Sequence, residues 1–480
     1  MVIRVVSTCA PAQWEDFIGM QVNTGVRERL HEQFDILLNI MEEEMKGKEG
    51  KLDEIAETIF EMRHELTGMI AESLVEKHRS KELEQTEMVC PKCGRLLTAR
   101  DEVERTVETM IGPIKLKRPY FWCKNCSKGF YPLDEALNLS KRKKQWDIQK
   151  AGASLAAEVP YEKAEELFTE LTGLSMSDHT MHEVVGDLCN EDFDVLEVAP
   201  SAEEIKRKIE AVGRGKKWRP IMVLAMDGAH VPTRPEEAKG KGKGRKKVRA
   251  KRANWEGEWK EAKGYRFYLV DGDRIEHILS WHQVQSNKEL KESLEKIKKA
   301  GLIPEDEVRL CVIADGARWI WKLVKNLYPT AVEVLDYYHL SEHLHEVAEL
   351  QYGHDPERAQ EWIEATLTRL FSSEAYGVIW GLERMKPRGA EAKREINSLI
   401  GYLKENKDRV DYKFYRKGGY PLGSGGIESS NKTICHVRLK RSGAWWYVEK
   451  ANQMLALRCA KYNGTFQNLF LKYKEKFTHT

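Results

Sequence analysis

Four cysteines and a scattered set of acidic residues are the side chains here whose types and spacing could do chemistry. The cysteines form two pairs, Cys90-Pro-Lys-Cys93 and Cys123-Lys-Asn-Cys126. Each Cys-x-x-Cys turn folds two thiolates toward one point, and Zn²⁺ takes four of them tetrahedrally. One such zinc is structural, with no open coordination position. A redox Cys-x-x-Cys needs no second pair, and a reducing compartment disfavours disulfides. The other five of the nine cysteines, Cys9, Cys189, Cys311, Cys435 and Cys459, are isolated and read as free thiols.

The acids fall in four segments. Asp227 ends the apolar run 221–226, Asp315 ends 308–314, and Asp336 ends 331–335 with His339 three residues on. Glu428 follows the Gly-rich entry 423–427 and precedes Asn431. An apolar strand that stops at Asp is costly unless the carboxylate has a partner. Adjacent strand ends would bring Asp227 beside Asp315, and a divalent cation would resolve their repulsion. Hard oxygen ligands and partial hydration select Mg²⁺. With a third carboxylate from a helix, two metals about 3.5–4 Å apart would support in-line phosphodiester chemistry. Whether Asp315 or Asp336 is the second ligand stays open, since both end neighbouring strands.

These residues need elements to carry them. Residues 25–80 show apolar stripes at helical spacing, broken at Lys46-Gly-Lys-Glu-Gly50, which predicts a helical hairpin. Its apolar stripe serves packing within one chain or pairing with a second. Alternation on both sides of Gly112-Pro113 predicts a β-hairpin joining the two Cys pairs, the layout of a zinc ribbon. Helices at 161–171 and 177–188 around a Gly-containing turn are compatible with a helix-turn-helix DNA reader. Strands are expected at 221–226, 265–270, 275–281, 308–314 and 331–335, with helices at 287–300 and 317–327. Three strands that can run antiparallel, then helix, strand, helix, strand, is the order of an RNase H-like fold. Residues 340–415 read as helical. The expected architecture is a multidomain α+β chain: a helical hairpin (1–85), zinc ribbon (86–138), helix-turn-helix-like region (139–212), RNase H-like α/β core (213–340 and 419–480) and an all-helical insertion (341–418).

Basic residues point to a phosphate-bearing partner. Nine cations and no acid fill 239–252, among them Lys243, Arg245, Lys246, Lys247 and Arg249. Counterion release makes DNA contact there favourable. Arg438, Lys440, Arg441 and Trp445, in a helix continuing from Glu428, would line the DNA side, with Trp445 stacking on an unpaired base. The whole chain is nearly balanced, 78 Lys+Arg against 76 Asp+Glu, because acidic residues offset these clusters. At 41% hydrophobic it has material for real cores, which excludes a wholly disordered chain. No run approaches the roughly 18 apolar residues of a membrane span, and the first ten residues are too weakly apolar for a secretory signal. A cytoplasmic, nucleoid-associated protein is expected.

Together these segments resemble the DDE transposases of bacterial insertion sequences, most closely the ISKra type. The resemblance rests on the Cys pairs, Met226-Asp-Gly-Ala-His230, Ala314-Asp-Gly-Ala-Arg318, Asp336-Tyr-Tyr-His339 and Gly425-Gly-Ile-Glu428 with Asn431. It implies that Asp227, Asp315 and Glu428 bind two catalytic Mg²⁺, for which Mn²⁺ substitutes. It implies that Asp336 and His339 sit beside the strand being cut, with Arg318 near the DNA. It implies binding of terminal repeats, transfer of 3′-hydroxyl ends to target DNA, and a homodimer or higher oligomer on DNA. Two alternatives are a RuvC-like nuclease and a zinc-ribbon DNA-binding protein with an inactive core. A third, the H-x-x-E-H peptidase pattern at His339, Glu342 and His343, leaves Asp227, Asp315 and Glu428 unexplained.

Overall fold

The computed structural model describes residues 24–190, 193–235 and 256–478. Cys9 and the basic run 239–252, with Lys243, Arg245, Lys246, Lys247 and Arg249, lie outside the described residues. The chain divides into two compact units. One comprises Met1–Leu155, Tyr161–Met181 and Lys474–Thr480, the other Ala156–Pro160 and His182–Tyr473.

The first unit opens with the expected hairpin, α1 (Thr24–Glu44) and α2 (Leu52–His78), followed by one-turn α3 (Ser80–Leu83). The hairpin's apolar stripe is only partly covered: Ile36, Leu38, Leu52, Ile59 and Leu74 are exposed. A four-stranded antiparallel sheet follows in the order β1 (Glu87–Val89), β2 (Leu96–Thr109), β3 (Gly112–Cys123), β4 (Lys128–Phe130). β2 and β3 pair from Thr109↔Gly112 outward, and one face buries Val107, Ile114 and Leu116 on Leu133. That alternation is the period-2 pattern the sequence carries. Then come α4 (Pro132–Ala136), α5 (Trp146–Ala156), α6 (Tyr161–Thr172) and the start of α7 (Asp178–Leu188), which belongs to the second unit from His182 on. Gly173, at φ +67°, turns the chain after α6.

The second unit contains α8 (Ala202–Gly213), β5 (Ile221–Thr233), β6 (Glu258–Asp271), β7 (Arg274–Val284), α9 (Asn287–Lys299), β8 (Arg309–Ala314), α10 (Arg318–Leu327) and β9 (Val332–Leu335). The sheet order is β7-β6-β5-β8-β9. β5, β6 and β7 pair antiparallel, while β8 and β9 run parallel to β5. β5 and β8 are buried on both faces, which is why both read as continuous apolar runs. α9 starts with a Ser286/Glu289 capping box, and α10 buries Ile320, Trp321, Leu323, Val324 and Leu327. The stretch expected to be helical holds α11 (Tyr337–Tyr352), α12 (Pro356–Phe371), α13 (Ala375–Arg384), α14 (Ala390–Asn406) and α15 (Tyr412–Gly418). The chain ends with α16 (Gly425–Ser430), a π-helix (Asn431–His436), α17 (Val437–Leu439), α18 (Val448–Tyr462) and α19 (Phe466–Thr478).

Two expectations change. β5 does not end at Met226. It runs on to Thr233 because β6 continues to pair with it, Gly228↔Lys263 through Thr233↔Glu258. Asp227 therefore lies inside a strand, just past Ala225↔Ile313, where the parallel pairing with β8 stops. Secondly, the helix after Glu428 does not reach Trp445. It closes at Leu439, and the loop that follows returns to β5 through a Thr233↔Trp446 bridge.

Side chains of α18 finish the exposed edge of the sheet. Asn452 exchanges two hydrogen bonds with the Val284 backbone, at 2.8 and 3.1 Å. Asn463 does the same at Ser280, at 2.8 and 3.0 Å. Capping an edge strand this way removes a template for unwanted strand pairing. No helix among the described residues is long and apolar enough to cross a membrane.

Candidate active site and candidate metal centre

The four-cysteine centre is built from two equivalent turns. In each, the residue after the second Cys takes a left-handed conformation: Gly94 at φ +70° and Ser127 at φ +48°. Gly94 N–H donates to the Cys90 carbonyl at 2.9 Å, which closes the first turn. The four Sγ atoms lie within 4.8 Å of one another, with Cys90–Cys126 at 3.9 Å and Cys93–Cys123 at 3.6 Å. A tetrahedron with Zn–S of about 2.3 Å has edges of about 3.8 Å, whereas a disulfide needs about 2.05 Å. The four thiols could hold zinc. Cys93 is lowered to about 6, mainly by the Arg95 backbone N–H, while its hydrogen bond with Cys126 drives Cys126 up.

The acidic site starts from Asp227. Its Oδ1 accepts from Gly228 N–H at 2.7 Å and its Oδ2 from Asn431 Nδ2 at 2.7 Å. Burial raises this carboxyl to about 6, against the Gly228 hydrogen bond, and the charges of Asp315, Glu428 and Glu261 push the same way. Asp315 follows β8 at the level of Asp227, and its Oδ1 accepts from Ala317 N–H at 3.0 Å. Tyr402 Oη on α14 donates to the Asp315 carbonyl at 2.7 Å, which ties the helical stretch to that turn. Glu428 stands in the first turn of α16, its Oε1 accepting from Ser424 Oγ at 2.9 Å. The oxygens of Asp227, Asp315 and Glu428 are not all within 4.8 Å of one another.

Asp336 stands at the N-terminus of α11. It is buried, and its Oδ1 caps α11 by accepting from Tyr338 N–H at 2.6 Å and His339 N–H at 3.2 Å. Its Oδ2 accepts from Ser424 N–H at 2.7 Å. Asp336 thus ties the start of α11 to the start of α16. His339 points to its own helix, Nδ1 lying 3.4 Å from Glu342 Oε2, with its ring 4.9 Å from His343. The ligand atoms of His343, Glu346 and Glu395 come within 4.8 Å of one another, so His339 and Glu342 are not part of that group.

The expected DNA contacts separate. Arg438 is buried, its Nε donating to the Ala156 carbonyl at 2.8 Å and its guanidinium over Trp446. Its guanidinium is packed inside the protein. Arg318 is exposed and forms a two-pronged ion pair with Glu405. Lys440 lies 5.4 Å from the Trp259 ring, which meets Trp445 edge-on at 6.2 Å. Arg441 is exposed and turns back to the Val437 carbonyl at 2.9 Å.

Three features had no reading in the sequence. Glu261 is a fourth carboxylate near Asp227, and its side chain occupies the space a Cβ at Gly228 would need. Its place in a strand of alternating polarity was the available signal. Asn431 was visible as a trailing residue, but its bond to Asp227 was not. The π-helix after it is satisfied by Arg458 of α18, which donates to the carbonyls of Thr433 and Ile434. Such helices recur at functional sites.

The sequence profile of an uncharacterised protein family (UPF0236) matches residues 51–470. The chain belongs to that family. The UPF0236 match spans both compact units and includes the four cysteines, Asp227, Asp315 and Glu428. No curated protein matches the sequence. Among solved structures, the Drosophila P element transposase strand transfer complex aligns over 70% of this UPF0236 chain and 81% of that chain. The identity is 11% and the TM-score 0.25, too slight a likeness to carry an argument about fold or function.

Proposed function

We propose that the chain is a DDE-type DNA transposase that cuts and joins phosphodiester bonds with Asp227, Asp315 and Glu428. The observation that carries this reading is the buried carboxyl of Asp227, raised to about 6 by desolvation and by the charges of Asp315, Glu428 and Glu261. Glu261 is paired with Lys263 at 3.5 Å, which leaves Asp227, Asp315 and Glu428 as the oxygen donor set for a hard divalent metal. Mg²⁺ bound there would supply Lewis-acid stabilisation and an activated oxygen nucleophile. Asn431 and the Gly228 N–H orient Asp227, and Ser424 orients Glu428.

The sheet order, three antiparallel strands extended by two parallel ones, supports an RNase H-like core. Asp315 is favoured over Asp336 as second ligand, since Asp315 follows β8 at the level of Asp227, whereas Asp336 is buried between the starts of α11 and α16. The zinc ribbon and the helix pair α6–α7 are proposed to read the element's ends, with Lys440, Arg441 and Trp445 on the DNA side. The exposed apolar residues of the α1–α2 hairpin support a second copy as partner, and sedimentation on end DNA tests that.

The deciding assay is strand cleavage and joining on DNA flanking the protein's own gene, wild type against Asp227→Asn, with Mg²⁺ and with EDTA. Metal-dependent nicking at discrete ends by wild type alone is expected. Binding without cutting in any metal would sink the enzyme reading and favour a DNA-binding protein with an inactive core.

A further inference from the structure

Asp227, Gly264 and His282 form one row across β5, β6 and β7, paired residue to residue. Directly paired residues of antiparallel neighbours share a face of the sheet. The row therefore presents a carboxylate, a gap and an imidazole to the helix crossing it. Two adjacent residues of that helix meet its two ends. Asn431 donates to Asp227, and Ser430 Oγ lies 3.2 Å from His282 Nε2. The gap is required, because a Cβ at Gly264 would fall on the His282 ring.

His282 and Ser430 are both fully buried. Ser430 Oγ already donates to the Ile427 carbonyl at 2.8 Å, so its one hydrogen is engaged and His282 Nε2–H is the donor. An imidazole that served packing alone would be replaced by an apolar side chain at lower desolvation cost. What it adds is direction. One step along the sheet, Arg266 Nη1 donates to the Gly426 carbonyl at 2.6 Å, and the Tyr268 ring fills the space beside Gly426. Gly426 and Ser430 stand two residues before and two after Glu428.

We propose that His282 and Arg266 are positioning residues for Glu428. His282 fixes Ser430, Arg266 fixes Gly426, and the two anchors set where the Glu428 carboxylate stands relative to Asp227. The inference rests on the carboxylate site proposed above.

The test compares wild type, His282→Leu and His282→Gln in the full-length zinc-loaded chain. Mn²⁺ binding is followed by electron paramagnetic resonance, and amide exchange is followed over residues 425–436. Outer partners of metal ligands typically control affinity by about 10- to 100-fold. His282→Leu should weaken Mn²⁺ binding by at least about tenfold and speed exchange in 425–436 alone. His282→Gln, whose amide N–H replaces the Nε2 donor, should restore both. A folded His282→Leu with wild-type Mn²⁺ affinity and wild-type exchange overturns the proposal. Should His282→Leu not fold, Ser430→Ala removes the acceptor from the other side, and the same outcomes apply. Failure of the carboxylate reading looks different. Mn²⁺ binding would then be indifferent to Asp227→Asn and Glu428→Gln, and the exchange measurement would still decide whether His282 anchors the helix.

Discussion

Asn431 Nδ2 donates to Asp227 Oδ2 at 2.7 Å, joining residues 204 apart in sequence. The bond crosses from the helix that carries Glu428 to the strand that carries Asp227, so it sets the spacing of two carboxylates that repel. A hydrogen bond to a charged group contributes about 1.5–3 kcal/mol. Asn431→Ala should therefore slow Mg²⁺-dependent cleavage by roughly ten- to hundredfold, with zinc content and DNA affinity unchanged. Single-turnover cleavage rates check this, and a wild-type rate would show that the amide plays no part.

Asp336→Asn distinguishes a tie from a metal ligand. The new amide nitrogen would face either Ser424 N–H or the α11 backbone N–H groups, donor against donor. Losing such an acceptor in a buried setting costs about 1–3 kcal/mol. Urea unfolding should show a loss of that order, with cleavage reduced but present. Unchanged stability with abolished cleavage would instead make Asp336 a ligand and displace Asp315.

The cysteine centre predicts one zinc per chain. Cys93→Ser, or a strong chelator, should remove it and loosen the core of Leu97, Phe121 and Phe130 packed around Cys90 and Cys123. Specific DNA binding should fall while the five-stranded sheet stays folded. Elemental analysis of the wild-type protein that finds no zinc would end this reading.

Two histidines predict acid sensitivity. Burial lowers His277 from 6.5 to about 4, helped by Arg266 and Lys208 and opposed by its bond to Asn463. Burial lowers His282 to about 3, with Arg266 and His277 adding to it. Between those values and 6.5 the unfolded chain binds more protons than the folded one, so stability rises with pH through that window. The contribution is fully present above 6.5 and is lost as pH falls toward 4 and then 3. For His277 it amounts to about 3 kcal/mol. Asp227, raised from 3.8 to about 6 in the metal-free chain, offsets part of it. Urea midpoints should drop from pH 7 to pH 5, and His277→Gln should flatten that slope. Equal slopes would contradict the burial argument.

Much was legible in the sequence because it is local. The Cys-x-x-Cys turns, the hairpin around Gly112, the apolar runs of β5 and β8 and the amphipathic α9 and α10 each follow from residues within one element. Only the tertiary structure decided the rest. How far β5 runs depends on its partner β6, so Asp227 moved from a strand end to a strand interior. Arg438 reads as a cation for phosphate, but the fold turns it inward to the Ala156 carbonyl. Asp336 and Asp315 look alike as strand-ending acids, and only the fold shows that Asp336 accepts from Ser424 N–H at the start of α16. His282 and Gly264 carry no local signal, since their meaning lies in a row across three strands. Periodicity and turn chemistry act over a few residues, whereas burial, register and hydrogen-bond partners are set by segments distant in the chain.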